Sequence, residues 1–177
     1  MEARRYIPRY TVADYRNWKG DWELWDGIAV AMSPSPSFIH GTAVTRLIRL
    51  LSDQLESDGC GHCSVVTEID WVIREDTVVR PDISVVCGPP PAMHIDRPPT
   101  LIVEVLSPAT RLRDRNEKRE LYREHGVRHY FVADPDTGAI QSLTGDSHDA
   151  DADLNVDLGD GCRVRLPEHL PPARTPA

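Results

Sequence analysis

Hydrophobic residues between Phe38 and Glu56 follow the spacing of an α-helix. They recur three or four positions apart and form one stripe, which consists of Ala43, Val44, Leu47, Ile48, Leu51 and Leu55. Ser37 precedes this segment and is a residue type that caps helix starts. The pattern predicts a long helix with one buried face.

Apolar runs of strand length occupy much of the remaining chain, at residues 22–32, 63–73, 77–87, 100–106, 129–133 and 139–143. The first is predicted to be a hairpin that turns at Asp26-Gly27, and the next two are predicted to pair. The run at 100–106 is almost continuously apolar, as in a strand that is covered on both faces. A second helix is predicted over 114–125, ended by Gly126. This order predicts an α/β (α+β) fold, with a central mixed β-sheet flanked by helices.

The length of 177 residues suits one domain with its own core. We predict a single domain over residues 1–166, followed by a proline-rich, flexible tail over 167–177. Within the domain, residues 163–166 are predicted to form an edge strand, and the aspartate-rich stretch 145–160 is predicted to be a loop.

Composition and charge narrow the function only slightly. No apolar run approaches the roughly 20 residues of a membrane helix, and the N-terminus lacks the apolar stretch of a secretory signal, so we expect a cytoplasmic protein with no membrane partner. The net charge of −8 disfavours nucleic acid, but six aspartates lie within 145–160. Basic residues gather instead at Arg111, Arg113, Arg115, Lys118 and Arg119. Charge therefore neither excludes nor supports a nucleic-acid partner.

Two acidic residues stand in apolar, strand-like surroundings. Asp82 lies within Val-Val-Arg-Pro-Asp-Ile-Ser-Val-Val, and Glu104 lies within Leu-Ile-Val-Glu-Val-Leu. A carboxylate is costly to bury unless a cation or strong donors meet it. Lys118 follows them and is one of only two lysines, against eighteen arginines. Two carboxylates that bind Mg²⁺ or Mn²⁺, with a lysine that orients water or neutralises charge, form a site for phosphodiester hydrolysis.

Several blocks, in this order, carry a family resemblance: Tyr10-Thr11, Asp14-Tyr15, Trp22-Glu23-Leu24, Asp26-Gly27, Met32-Ser33-Pro34, His40, Arg80-Pro81-Asp82, Glu104-Val105-Leu106-Ser107-Pro108, Lys118, Tyr122 and His129 to Pro135. Over roughly residues 8–140 the chain resembles the Uma-two family of bacterial restriction endonucleases. The resemblance implies a restriction-endonuclease-like fold with a PD-(D/E)xK core. It also implies a divalent metal and DNA as substrate.

The position of the lysine departs from the parent superfamily. There the lysine follows the second acid by two residues, a position that Leu106 occupies here. The Uma-two pattern offers a lysine from the following helix, where Lys118 stands. We therefore predict Asp82 and Glu104 as metal ligands and Asp82, Glu104 and Lys118 as catalytic residues, in a homodimer that cleaves DNA.

Each of these residues also has a structural interpretation. Lys118 could lie on a solvated helix face, and the two acids could be capped by arginines or backbone donors. Glu68 is a candidate third acid or a surface residue. His40 is a candidate phosphate or metal contact, but helix capping is slightly favoured. Glu23 and Tyr122 match the family pattern, and we expect both to have structural roles.

The four cysteines do not predict a disulfide framework. Cys60-Gly61-His62-Cys63 has the spacing of half a zinc site, but Cys87 and Cys162 are distant in sequence and no second ligand pair is evident. A turn between helix and strand is the favoured interpretation.

Two other functions remain open besides a nuclease. One is an inactive module on the same fold that binds nucleic acid or protein, which the acidic balance favours. The other is a metal-dependent hydrolase of small phosphate esters.

Overall fold

The chain forms four helices and eleven strands within the residues that this computed structural model describes, which are 7–32, 37–144 and 154–171. The helices are α1 (Val12–Tyr15), α2 (Phe38–Ser57), α3 (Arg111–Arg115) and α4 (Glu117–Glu124). The strands are β1 (Trp22–Trp25), β2 (Ile28–Ala31), β3 (Cys63–Thr67), β4 (Trp71–Arg74), β5 (Thr77–Val79), β6 (Ile83–Cys87), β7 (Leu101–Val105), β8 (His129–Ala133), β9 (Ile140–Ser142), β10 (Asn155–Gly159) and β11 (Cys162–Arg165).

A five-stranded mixed sheet in the order β3-β6-β7-β8-β9 lies at the centre. Its neighbouring strands are antiparallel except for β7 and β8, which are parallel. Parallel neighbours need a crossover connection, and α3 and α4 lie in it. All five residues of β7 are buried, as its apolar run predicted. The predicted fold class, a mixed sheet flanked by helices, is confirmed.

The two faces of β7 belong to different parts of the core. Its odd-numbered residues join the cluster that contains Leu47 of α2. Ile102, together with Leu106 just beyond the strand, joins the cluster that contains Tyr122 of α4. Side chains alternate between the faces of a strand, so Glu104 projects toward α4. The sheet thereby presents this acid to the helix that carries Lys118.

The predicted long pair over 63–73 and 77–87 is interrupted in its middle. β3 and β6 pair in the central sheet, whereas β4 and β5 belong to a four-stranded sheet in the order β2-β1-β5-β4. Thr67 opposes Ile83 and Trp71 opposes Val79, so one register continues across the gap. The gap coincides with Glu68, whose φ is +52°, and with Pro81, which has no N–H to donate. The two runs therefore pair as predicted, but they are divided between two sheets.

Two further predictions need correction. The single helix predicted over 114–125 is divided at Asn116, which is both the C-terminal cap of α3 and the N-terminal cap of α4. The predicted loop over 145–160 contains β10, which pairs with β11, the predicted edge strand. Val156 and Leu158 of β10 alternate with polar residues and are buried. Residues 145–153 lie outside the described part.

The predicted tail over 167–177 begins within a segment that is hydrogen-bonded to the domain. Ile140 N–H donates to Glu168 O, and Leu170 N–H donates to Gly138 O. Residues 172–177 lie outside the described part of the chain. No helix within the described ranges combines the length and the apolar character needed to cross a bilayer.

The four cysteines are paired, which the sequence pattern did not predict. Disulfides join Cys60 to Cys162 and Cys63 to Cys87. The first connects the end of α2 to the hairpin of β10 and β11, and the second connects β3 to β6. The partners are 102 and 24 residues apart in the chain, so only the fold brings them together.

Candidate active site

The two predicted acids lie side by side on neighbouring strands. Ile83 opposes Val103 in the antiparallel pair of β6 and β7, which brings Asp82, just before β6, beside Glu104. Asp82 N–H donates to Glu104 Oε2 over 3.3 Å, and Val105 N–H donates to Asp82 Oδ2 over 2.8 Å. Backbone donors thus hold both carboxylates at the point where the long strand pair is interrupted.

Lys118 reaches this pair from α4. Its Nζ lies 2.9 Å from Glu104 Oε1 and 3.2 Å from Glu23 Oε1, and its side chain is only 7% exposed. Tyr122, one helical turn later on the same face, donates to Glu104 Oε1 over 2.6 Å. Lys118 therefore does not lie on a solvated helix face. No arginine caps Asp82 or Glu104 within the described ranges.

Negative charge exceeds positive charge around this amine. Lys118 is the buried cation among four acids, Glu23, Asp82, Glu104 and Asp114. Burial alone would lower the pKa of Lys118, but attraction by these acids raises it well above its ordinary value. The amine therefore keeps its proton at all physiological pH values.

The same surroundings shift the pKa values of Asp82 and Glu104 in opposite directions. Burial raises the pKa of Glu104 well above 4.5, and repulsion by Asp82 and Asp114 adds to the increase despite the attraction of Lys118. Burial also opposes ionisation of Asp82, yet hydrogen bonding and attraction by His40, with help from Lys118, lower the pKa of Asp82. Asp82 is consequently the acid that is ionised before any ligand binds, whereas Glu104 ionises fully only when a further cation binds beside it.

The two additional candidates occupy the rim of the site. His40 Nε2 lies 3.2 Å from Asp82 Oδ2, and this hydrogen bond raises the pKa of His40 despite its partial burial. The helix cap is Ser37, so the favoured capping role of the His40 side chain was wrong. Glu68 is exposed, lies in the interruption between β3 and β4, and lines the same cavity as Asp82.

A cavity of about 320 Å³ opens onto these residues. Its wall includes Asp82, Glu104 and Lys118, together with Arg113 and the segment Ser107–Thr110. Arg113 lies over the Trp25 ring, 5.7 Å from the ring centroid, and donates to Ala31 O. The cavity gives solvent and ligands access to Asp82, whose side chain is 20% exposed, whereas the Glu104 side chain in its wall is only 3% exposed.

Glu23 and Asp114 were not among the predicted site residues. Glu23 is 1% exposed and also accepts a hydrogen bond from Arg80 N–H over 2.8 Å. The sequence did indicate that Glu23 is buried, because this acid is flanked by Trp22 and Leu24 in a strand. Asp114 is 2% exposed, but its sequence neighbours are charged, so no local pattern distinguishes it.

The donor set fits a hard divalent cation. Mg²⁺ and Mn²⁺ prefer carboxylate oxygens, and Mg²⁺ retains several water ligands, so two protein carboxylates suffice. Among the described residues, no group donates a hydrogen bond to Asp82 Oδ1, which therefore has its lone pairs available. The surplus of acids over cations supplies the charge that such an ion would neutralise.

Comparisons with known proteins identify the family and the fold of the chain. The profile of the Uma2 family, described as "Putative restriction endonuclease", matches residues 10–173. The uncharacterised protein slr1290 of Synechocystis sp. is 30% identical over 124 residues, which cover 66% of this chain but only 63% of that protein. A crystal structure from Anabaena variabilis, described as "a putative nuclease belonging to DUF820", has a TM-score of 0.67 and 16% identity, covering 86% of this chain and 90% of that one. At 16% identity the likeness shows a shared fold. The profile match shows that this chain belongs to the Uma2 family of putative restriction endonucleases.

Proposed function

We propose that the protein is a Mg²⁺- or Mn²⁺-dependent endodeoxyribonuclease that hydrolyses DNA phosphodiester bonds. The observation that carries the proposal is the buried contact of the Lys118 amine with Glu104, 2.9 Å long, beside Asp82 and at the wall of an open cavity. The family membership supports a nuclease, and the acids and amine supply the groups that phosphodiester hydrolysis needs.

Asp82 and Glu104 would hold the metal ion. When bound, the ion supplies Lewis-acid activation of the scissile phosphate and lowers the pKa of attacking water. His40 and Val105 N–H fix the Asp82 carboxylate, while Tyr122 fixes Glu104. The protein thereby keeps both acids in place before any ligand arrives.

Lys118 acts as a fixed positive charge in this proposal. Because its pKa is raised, it does not accept a proton from water. It can instead donate hydrogen bonds to water or to a phosphate oxygen as negative charge develops there. Glu23 and Glu104 orient the amine from two sides, at 3.2 and 2.9 Å.

Arg113 is the basic residue best placed to meet the DNA backbone. All three arginines of α3 make contacts within the protein, Arg111 with Asp134, Arg115 with Gln141 and Arg113 with Ala31 O. Arg113 lines the cavity next to the acids. The expected homodimer remains a prediction, which sedimentation velocity of the purified chain checks.

Plasmid cleavage with matched variants tests the assignment. We expect nicking or cutting only with Mg²⁺ or Mn²⁺, and we expect Asp82→Ala to abolish it. Asp53→Asn, an exposed acid in α2, should cleave normally. Lys118→Met should lose about 100-fold or more of the rate, whereas Lys19→Met, which changes the other lysine, should lose none. Full activity of Asp82→Ala would show that Asp82 is not a metal ligand that cleavage requires.

A second candidate is a binding module without catalysis. It is favoured by the way Lys118 and Tyr122 already satisfy Glu104 without any ligand. Titration with Mn²⁺ separates the two, because a binding module should show no affinity that depends on Asp82. A hydrolase of small phosphate esters would instead prefer nucleotides to oligonucleotides in the same assay.

A further inference from the structure

A second group of potential metal ligands lies at the other end of β6. The cysteine cluster consists of Cys60, Cys63, Cys87 and Cys162. Cys60 follows α2, Cys63 opens β3 directly opposite Cys87 at the end of β6, and Cys162 opens β11. Asp82 precedes the first residue of β6, so about 17 Å of strand separates it from Cys87. The cluster is therefore distinct from the candidate active site.

The two disulfides in this cluster lie close to each other. Donor atoms of His62, Cys63 and Cys162 all lie within 4.8 Å of one another. Cys60 is bonded to Cys162 and Cys87 is bonded to Cys63, so the sulfurs of Cys60 and Cys87 lie one disulfide bond away from this group. Among the described residues, His62, Cys63 and Cys162 are the group of three or more potential ligands whose donor atoms lie this close together. Two separate cross-links do not require such proximity, whereas one metal ion does.

The local backbone suits a zinc site. Cys63 N–H donates to Cys60 O over 2.9 Å, which closes the turn between the first two cysteines. Their C-x₂-C spacing is that of half a structural zinc site, and the fold brings Cys87 and Cys162 as the second half. Zn–S bonds of 2.3 Å in a tetrahedron place sulfurs about 3.8 Å apart. The sulfurs of Cys63 and Cys162 already lie within 4.8 Å of each other, and rotation of the Cys60 and Cys87 side chains after reduction would bring the other two sulfurs to the same ion.

We propose that the reduced chain binds one Zn²⁺ through the four thiolates of the cysteine cluster, and that this state alternates with the disulfide state. Four equivalents of a thiol reductant convert the two disulfides to four cysteine thiols, and the reductant leaves as two disulfides. Zinc then displaces four protons from these thiols. The two states exclude each other because they use the same sulfurs.

His62 stays outside this ligand set. Its side chain is 38% exposed, and its Nε2 lies 4.0 Å from Asp160 Oδ2. The cysteines are more enclosed, with Cys60, Cys63 and Cys162 between 2% and 8% exposed. The zinc ion would tie the end of α2, the β3–β6 pair and the hairpin of β10 and β11 together, as the disulfides do in the oxidised chain.

The unmodified protein provides the first test. The chain is reduced with a phosphine under anaerobic conditions, incubated with Zn²⁺ or Co²⁺, and desalted. We expect one Zn²⁺ per chain by atomic emission, the thiolate-to-metal absorption bands of tetrahedral Co²⁺, and protection of all four cysteines from alkylation in the mass spectrum. Oxidation should release the zinc. A zinc content near zero with four freely alkylated thiols overturns the proposal.

Variants identify the ligands. Cys87→Ser should lower the zinc affinity by more than about 100-fold, since even the loss of a ligand's supporting partner costs 10–100-fold. His62→Ala, in the same turn, should retain zinc, and so should Asp82→Ala if the cluster is independent of the active site. Circular dichroism verifies that each variant is folded; if Cys87→Ser is not, alkylation protection in the unmodified chain decides. Zinc loss in His62→Ala with retention in Cys87→Ser overturns the four-thiolate assignment.

Discussion

Replacement of Lys118 by methionine is the perturbation with the most specific consequence. Methionine retains most of the apolar stem but removes the ammonium group that lies between Glu104 and Glu23. Glu104 is 2% exposed, so solvent cannot replace the lost charge. Its pKa, already raised by burial, should rise further without Lys118. The folded variant then has to keep Glu104 protonated as the pH increases.

The size of this effect follows from the pKa difference between the folded and unfolded states. A group whose pKa is raised on folding loses stability as the pH rises above its unfolded pKa, here 4.5. Each pH unit costs at most about 1.4 kcal/mol. Burial raises the pKa of Glu104 in the unmodified protein too, so the two proteins should differ little where both keep Glu104 protonated. The destabilisation of Lys118→Met should then grow by at most about 1.4 kcal/mol per pH unit once Glu104 ionises beside Lys118. Removing one partner of a buried ion pair typically costs about 3–5 kcal/mol, which sets the scale of the loss expected at the upper end of the pH range.

Urea unfolding between pH 5 and 8 measures this difference. Lys19→Met should stay within about 0.5 kcal/mol of the unmodified protein, as surface substitutions usually do. The double variant Lys118→Met/Glu104→Gln should recover much of the loss at pH 7, because the amide needs no counter-ion. A pH-independent destabilisation of Lys118→Met, or none at all, would refute the reasoning.

Three further predictions concern the same site. Burial raises the pKa of Glu104, and a cation binds only the ionised carboxylate, so the affinity for Mn²⁺ should increase with pH above 4.5. Calorimetry in buffers of different ionisation enthalpy should detect the release of protons when Mn²⁺ binds. Uptake of protons would contradict this prediction. Tyr122→Phe removes a 2.6 Å hydrogen bond to Glu104 and should cost about 1.5–3 kcal/mol in urea unfolding, where an unchanged midpoint would show that the bond contributes nothing. Arg113→Ala should weaken DNA binding at every sequence and reduce the slope of log affinity against log salt by about one, with stability nearly unchanged; an unaltered slope would mean that Arg113 meets no phosphate.

The elements that were predictable from sequence are those whose signal is local. The stripe of α2 and the apolar run of β7 follow from periodicity, and both are observed nearly as predicted. The acids Asp82 and Glu104 were conspicuous because carboxylates are rare in such runs. The inward direction of Lys118 was not, because its charged neighbours resemble a solvated helix face, and only the packing of α4 on the sheet decides it.

The contacts between segments that are distant in the chain could not be predicted from the sequence. The interruption between β3 and β4 depends on the backbone at Glu68, and the same period-2 pattern continues on both sides of it. Asp114 and the pairing of Cys60 with Cys162 have no local signature at all, because their partners are set by tertiary packing. Glu23 was readable as a buried acid, but its contact with Lys118 depends on how β1 packs beside the central sheet.

One diffraction experiment examines the proposed metal ligands directly. Crystals of the unmodified protein soaked in Mn²⁺ should give an anomalous peak within about 2–2.6 Å of an oxygen of Asp82 and an oxygen of Glu104, close to the Lys118 amine. Should the ion bind elsewhere, or nowhere, while Lys118 and Tyr122 still cap Glu104, then Lys118 and Glu104 would form a buried structural ion pair with a hydrogen bond from Tyr122, and not a hydrolytic site.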